Sequence, residues 1–290
     1  LEIVGQMPWS SNGTFLVDVL PSEASAQEQA SDPKTAWKQP GKLSHREPAK
    51  LSDQKPAKPS NQKPAKPSDQ KPAKPSNQKP AKPSRQDAAP FPIQAIYKPT
   101  RGERPLWDFP EGLHLREQAC FALSETLGWH LVPPTVIRDG PLGEGSLQLF
   151  VLADFSEHYL TLKDEPDHAL DFKRLCAFDV LANSTDRKSG HVLLGENEVL
   201  GSQIFAIDNG LSFHTEFKLR TVVWDFMGQA IPAEILKDIA TLLEQDQLSC
   251  LTGLLTQAEI QAAQARAEIL LDRGVFPIDA SGHRWPWPII

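Results

Sequence analysis

The stretch ALDFKRLCAFDVLANSTDRKSGHVLL, residues 169–194, changes character twice. From Ala169 to Ala182 the residues Leu170, Leu175, Phe178 and Leu181 fall on or near one face at helical spacing, which predicts an amphipathic helix. Asn183 to His191 then gathers an aspartate, an arginine, a lysine and a histidine, and HVLL resumes as a strand. A charged loop between a helix and a strand is a place where a scaffold presents chemistry.

Reading outward, QIFAID (203–208) predicts a second strand, closed by Asp208-Asn209-Gly210. On the N-terminal side, IQAIYK (93–98) predicts a strand carrying Lys98. EGLHLREQACFALSETLGW (111–129) predicts a helix with Leu115, Ala119, Ala122, Leu123 and Leu127 on its apolar stripe, Arg116 and Glu117 off it, and Gly128 as its stop. LVPPTVIRDG and GSLQLFVLADF supply two more strands, and residues 2–20 predict a β-hairpin around Ser11-Asn12-Gly13. The expected N-terminal half is a sheet of about five strands with one helix. Beyond the central stretch, residues 231–245 and 255–274 predict amphipathic helices, the second with Thr256 as N-cap and Gly274 as stop.

Between the hairpin and Lys98 the composition breaks. The octad S-D/N-Q-K-P-A-K-P occurs four times from Ser52 to Pro83, and Ser44–Leu51 reads as a decayed copy. These octads offer only alanine for burial, so residues 22–90 are expected to be an extended, disordered insertion between neighbouring strands of one sheet. Lengthening a loop eightfold costs only ~2 kcal/mol of closure entropy, so both flanks belong to one domain. The tract carries 14 Lys+Arg against 7 Asp+Glu, leaving 16 against 30 in the rest of the chain, a net of −14. So acidic a body argues against nucleic acid or an anionic membrane as partner, while the basic tract itself suits a spacer or a tether to an anionic partner.

Cys120, Cys176 and Cys250 are odd in number and widely spaced, which predicts neither a disulfide framework nor a zinc site. No apolar run reaches membrane-spanning length, and Leu1–Val4 lacks the pattern of a signal peptide, so a cytoplasmic protein is expected.

The ordered residues suit phosphoryl transfer, which needs a triphosphate held, its charge neutralised and an acceptor hydroxyl positioned. A strand lysine, Lys98, reaches phosphates; a helix glutamate, Glu117, orients it. Asp186 accepts or aligns the acceptor's proton, Asp208 offers hard oxygens to magnesium, and the turn Ser11-Asn12-Gly13-Thr14 lays backbone N–H groups over the phosphates.

AIYKP with Lys98, REQACFALSETLGWHLVPPT with Glu117, NSTDRKSGH with Asp186 and Arg187, and FAIDNG with Asp208 together resemble the catalytic domain of phosphatidylinositol 3- and 4-kinase-like enzymes, in particular a bacterial branch of that superfamily. The resemblance implies a two-lobed α+β kinase fold, a β-rich lobe over residues 1–150 and a mainly helical lobe over 151–290. It implies ATP with Mg²⁺ or Mn²⁺ in the cleft and a hinge around Leu147–Leu152 whose backbone, at Gln148 and Leu149, meets adenine. Asp186 and Arg187 take the catalytic positions. The family places a metal-binding asparagine five residues after the catalytic aspartate; this chain has His191 there, with Asn183 as an alternative ligand beside Asp208. Trp285 and Trp287 are expected to anchor the C-terminal segment, and Asp179 is expected to partner Arg187 or nearby backbone. Three functions remain open: a phosphotransferase acting on a protein or small-molecule hydroxyl, a pseudokinase or nucleotide-binding scaffold that holds a partner through the basic tract, and a phosphatidylinositol kinase. After Asp208, only His214, Lys218 and Arg220 supply positive charge, which disfavours the lipid.

Overall fold

The computed structural model describes residues 1–8, 12–20, 93–197, 201–244 and 247–290. Ser11 and the octad tract lie outside the described residues. The described segments flanking the tract belong to one compact unit.

Five antiparallel strands make the first sheet: β1 (Glu2–Gln6), β2 (Phe15–Val19), β3 (Ile93–Pro99), β4 (Thr135–Gly140) and β5 (Gly143–Leu149), in the order β1-β2-β3-β5-β4. Register Phe15↔Tyr97 through Val19↔Ile93 pairs the strand before the tract with the strand after it. Period-2 alternation along β3 buries Ala95 and Tyr97 with Val17 and Leu147 in a small core, which sends Lys98 to the opposite face. Gly145 lets β5 approach that lysine's backbone, because a Cβ there would stand 2.3 Å from the Lys98 carbonyl oxygen.

Helix α1 (Leu113–Thr126) crosses from this sheet into the rest of the molecule. It ends, as Gly128 predicts, in a left-handed glycine with φ 67°. Its start has no local side-chain cap; Glu103 Oε1 instead accepts the His114 N–H at 2.9 Å and lies 3.1 Å from His114 Nδ1. The helix surface departs from the single apolar stripe. Arg116 and Glu117, off that stripe, are each only 3% exposed. Both are buried because each has a partner from a distant segment, Glu259 for Arg116 and Lys98 for Glu117.

The bond to Glu103 raises the His114 pKa above its ordinary value against the pull of burial. A raised histidine contributes stability that is complete below its unfolded pKa and is lost as pH rises through the folded one. A His114→Gln variant is therefore expected to lose stability in mildly acid buffer and to converge on the wild type above neutrality, as urea denaturation across that range would record.

The remaining elements are α2 (Tyr159–Leu162), α3 (Ala169–Ala182), the hairpin β6 (Val192–Asn197) and β7 (Gly201–Ala206), α4 (Ala233–Glu244) and α5 (Gln257–Arg273). Helix α3 ends at Asn183 with φ 51°, so the chain turns sharply into the charged loop. On α4, Ile235, Ile239 and Leu242 recur at helical spacing on the buried face. Thr256 and Glu259 form a reciprocal cap on α5, and Gly274 ends it at φ 61°. The large core joins α3, α4, α5 and the β6–β7 hairpin with Ala119, Cys120 and Leu123 of α1, Leu127 just past its end, and Trp129, Leu131 and Val132. Residues of the first 150 thus help build the helical core as well as the sheet.

No helix among the described residues is long and apolar enough to cross a membrane. The C-terminal segment is held differently from the expectation: Trp285 is 41% and Trp287 88% exposed. Backbone does the anchoring, since the Arg284 carbonyl accepts from Thr221 N–H and Trp224 Nε1, and the Ile289 carbonyl accepts from Ser189 N–H at 2.7 Å.

Candidate active site

Lys98 is the hub. Its ammonium donates to Glu117 Oε1 at 2.5 Å and to Asp208 Oδ1 at 2.7 Å, joining β3, α1 and the end of β7. Burial pulls the Lys98 pKa down, but the two carboxylates outweigh it and hold the ammonium above the usual lysine range. Lys98 in turn pulls Asp208 well below the usual carboxylate range, against burial. Both groups are charged at neutral pH.

Asp208 is presented by a strained backbone, with φ 57° at a non-glycine residue. A buried polar chain fixes the turn around it. Glu117 Oε2 accepts the Asn209 N–H at 3.0 Å, and Asn209 Oδ1 accepts from Arg187 Nη2 at 2.6 Å. Arg187 Nη1 donates to the Ile207 carbonyl at 2.7 Å and its Nε to Asp179 Oδ1 at 3.0 Å, while Thr221 donates to the other Asp179 oxygen. The residues on both sides of Asp208 are thereby tied to the loop that carries Asp186. Asp208 itself keeps a side chain 55% exposed.

On the loop, Asp186 Oδ2 accepts from Lys188 Nζ at 2.8 Å and remains 29% exposed. His191 connects the two aspartates: Nδ1 lies 3.1 Å from the Asp186 carbonyl oxygen and Nε2 lies 3.4 Å from Asp208 Oδ2. Burial lowers the His191 pKa despite the attraction of Asp208, which favours a neutral ring. Lys98, Glu117, Asp186, His191 and Asp208 therefore form one continuous constellation. Lys188 belongs to it too, and two-residue spacing from Asp186 was the signal available in the sequence.

Other expected site residues take different places. Arg187 is fully buried, its side chain committed to Asp179, Ile207 and Asn209, and it holds the turn around Asp208. The expected pairing of Asp179 with Arg187 is present. Asn183 is not placed to bind a metal: its amide donates to the His214 and Glu216 carbonyls and its oxygen accepts the Lys218 N–H at 3.0 Å, pinning the end of α3 to the segment after Asp208. In the hairpin turn, Asn12 Oδ1 accepts from Arg104 N–H and the Gly13 N–H is spent on the Gly102 carbonyl at 3.1 Å, so neither is turned toward a phosphate. A Cβ on Gly102 would meet the Gly13 backbone at 2.9 Å, which shows how tightly this turn is clasped. Thr14 is buried. Gln148 donates to Thr135 Oγ1 within the sheet, and the Leu149 and Phe150 N–H groups are spent on the Pro134 and Gln94 carbonyls. The Leu149 and Phe150 N–H groups are therefore committed to neighbouring backbone.

Among the described residues no group of three or more His, Cys, Asp or Glu side chains is arranged to hold a metal. The donor set is one half-exposed carboxylate, Asp208, with an imidazole nitrogen beside it. That set fits an ion such as Mg²⁺, which is commonly held by one or two carboxylates together with substrate phosphates rather than by a protein cage. The imidazole would suit Mn²⁺ better.

The fold and site define an α+β protein with a lysine–glutamate–aspartate constellation between a five-stranded antiparallel sheet and a helical core. The chain belongs to the family of Protein Rv2133c of Mycobacterium tuberculosis (strain ATCC 25618 / H37Rv), to which it is 40% identical over 234 residues, 68% of this chain and 82% of that protein. No family model matches it. Among solved structures, the Golgi casein kinase with Mn/ADP bound aligns with a TM-score of 0.44 at 16% identity, covering 68% of this chain and 72% of that one. The hydra Fam20 structure with sugar aligns at 0.42 and 18% identity, covering 64% and 78%. The Helicobacter pylori proinflammatory kinase CtkA aligns at 0.39 and 11%, covering 63% and 88%.

Proposed function

We propose that this protein is an ATP-dependent phosphotransferase that moves the γ-phosphate to an acceptor hydroxyl. The observation that carries the reading is the Lys98 ammonium held between Glu117 and Asp208, with Asp186 linked to the same cluster through His191. Lys98 exchanges its bond to Asp208 for phosphate oxygens while Glu117 keeps it aimed. Asp186 accepts the hydroxyl proton, with the Lys188 ammonium beside it balancing the charge. Asp208, with His191, would hold a divalent ion, which would supply neutralisation of the triphosphate charge. The narrower kinship with phosphatidylinositol 3- and 4-kinase-like enzymes is part of this proposal and rests on the motifs around Lys98, Glu117, Asp186 and Asp208.

The contact of His191 with Asp208 favours a second reading, a scaffold that binds nucleotide without turning it over.

Calorimetric titration of the full chain with ATP tests the nucleotide site itself. ATP is expected to bind in the presence of metal and to bind at least about tenfold more weakly to a Lys98→Ala variant, the loss of a charge-assisted contact. Equal affinity in the variant would remove Lys98 from the site.

A further inference from the structure

Beside the loop that carries Asp186 lies a groove of about 450 Å³ lined by Trp107, Asp108, Glu216, Lys218, Leu219, Arg220, Ser281, His283 and Arg284. We propose that this groove is a binding site for a small, soluble phosphomonoester, and that it is the acceptor site of the enzyme; the second half of this statement rests on the phosphotransferase reading.

The charge arrangement favours an anion. Both acids of the groove lean on Lys218, whose Nζ lies 3.7 Å from Asp108 Oδ2 and 3.9 Å from Glu216 Oε2 and donates to the Asp108 carbonyl. Arg220 is exposed, and no carboxylate among the described residues pairs with it. Arg284 stacks over the Phe217 ring at 5.0 Å and has one distant acid, Asp279 at 3.9 Å. Two guanidinium groups entering from separate segments, with His283 between the same walls, match a tetrahedral dianion better than a single carboxylate. Trp107, 96% exposed, offers a flat apolar face for the body of such a ligand.

Position ties the groove to Asp186. The Arg220 N–H donates to the Ser184 carbonyl at 2.9 Å and the Arg220 carbonyl accepts the Arg187 N–H at 3.0 Å, so its backbone brackets that aspartate's loop. A soluble ligand is favoured over a lipid surface because the chain outside residues 22–90 carries a net charge of −14, which repels an anionic bilayer, whereas a small ion needs only the local field.

The test is titration of the full chain with glucose 6-phosphate, with glucose as the neutral control, and co-sedimentation with phosphatidylcholine vesicles containing phosphatidylinositol 4-phosphate. Binding of the phosphate ester alone is expected, weakened about tenfold or more in Arg220→Ala and in Arg284→Ala and unchanged in Lys98→Ala, with circular dichroism showing each variant folded. Absence of binding, unaltered binding in both arginine variants, loss of binding in Lys98→Ala, or binding to vesicles alone would overturn the proposal. Retained phosphomonoester binding by a protein that binds no ATP would uphold the groove while removing the phosphotransferase reading.

Discussion

An Arg187→Ala variant is expected to lose about 3–5 kcal/mol of folding stability, the cost of leaving a buried carboxylate without its counter-charge. Arg187 and Asp179 are both fully buried, and the arginine also satisfies the Ile207 carbonyl and the Asn209 side chain. Burial raises the Asp179 pKa even with Arg187 beside it. Without Arg187 that carboxyl is pushed higher still. A raised carboxylate costs stability as pH climbs from its unfolded toward its folded pKa, so the deficit grows between acid and neutral pH. Guanidinium denaturation at several pH values reads both the size and the trend. The double variant Arg187→Ala with Asp179→Ala should recover part of the loss, since the orphaned charge is gone.

The second large effect falls on rate rather than stability. Asp186→Asn is expected to lower turnover by about 10²–10⁴-fold, the usual worth of a positioned general base, while affinity for ATP is unchanged. Asp186 is partly exposed and bonded to Lys188, and the nucleotide-facing cluster of Lys98, Glu117 and Asp208 does not depend on its side chain. Stopped-flow binding beside steady-state rates separates the two quantities. A variant that lost ATP affinity in proportion to turnover would assign Asp186 to nucleotide binding.

The elements of this fold are legible in the sequence where a local signal exists. Thr256 with Glu259 and Gly274 delimit α5 because capping is a contact among near neighbours. The strands β2 and β3 are legible as partners across the octad tract because their alternation survives the insertion. Lys98, Asp186 and Asp208 are legible because each sits near an element end marked by Pro, Gly, Asn or a change of period, and Glu117 because it lies off the apolar stripe of α1.

What escapes a linear reading is which charges are buried. Arg116 lies off the apolar stripe of α1 with no local sign of burial, yet it meets Glu259 at a separation of 143 residues. For Arg187 the pairing with Asp179 is legible, but the acceptors at Ile207 and Asn209 are brought to the same guanidinium only by folding. Asn183 reads as a candidate ligand by chemistry, but its left-handed backbone makes it a helix terminus whose side chain is taken up by the backbone of His214, Glu216 and Lys218, more than 30 residues away. The tryptophans of the C-terminal segment read as anchors because large apolar rings usually seek burial, whereas here carbonyl acceptors at Arg284 and Ile289 hold the chain and the rings stay out. Gly13 reads as a phosphate-facing turn until Gly102, distant in sequence, takes its N–H.

The most direct measurement is release or transfer of phosphate from ATP by the purified chain, with magnesium and then manganese, wild type beside Asp208→Ala. The expected result is metal-dependent turnover in the wild type and none in the variant. A folded wild-type protein that neither binds nor turns over ATP with either metal would contradict the phosphotransferase reading outright.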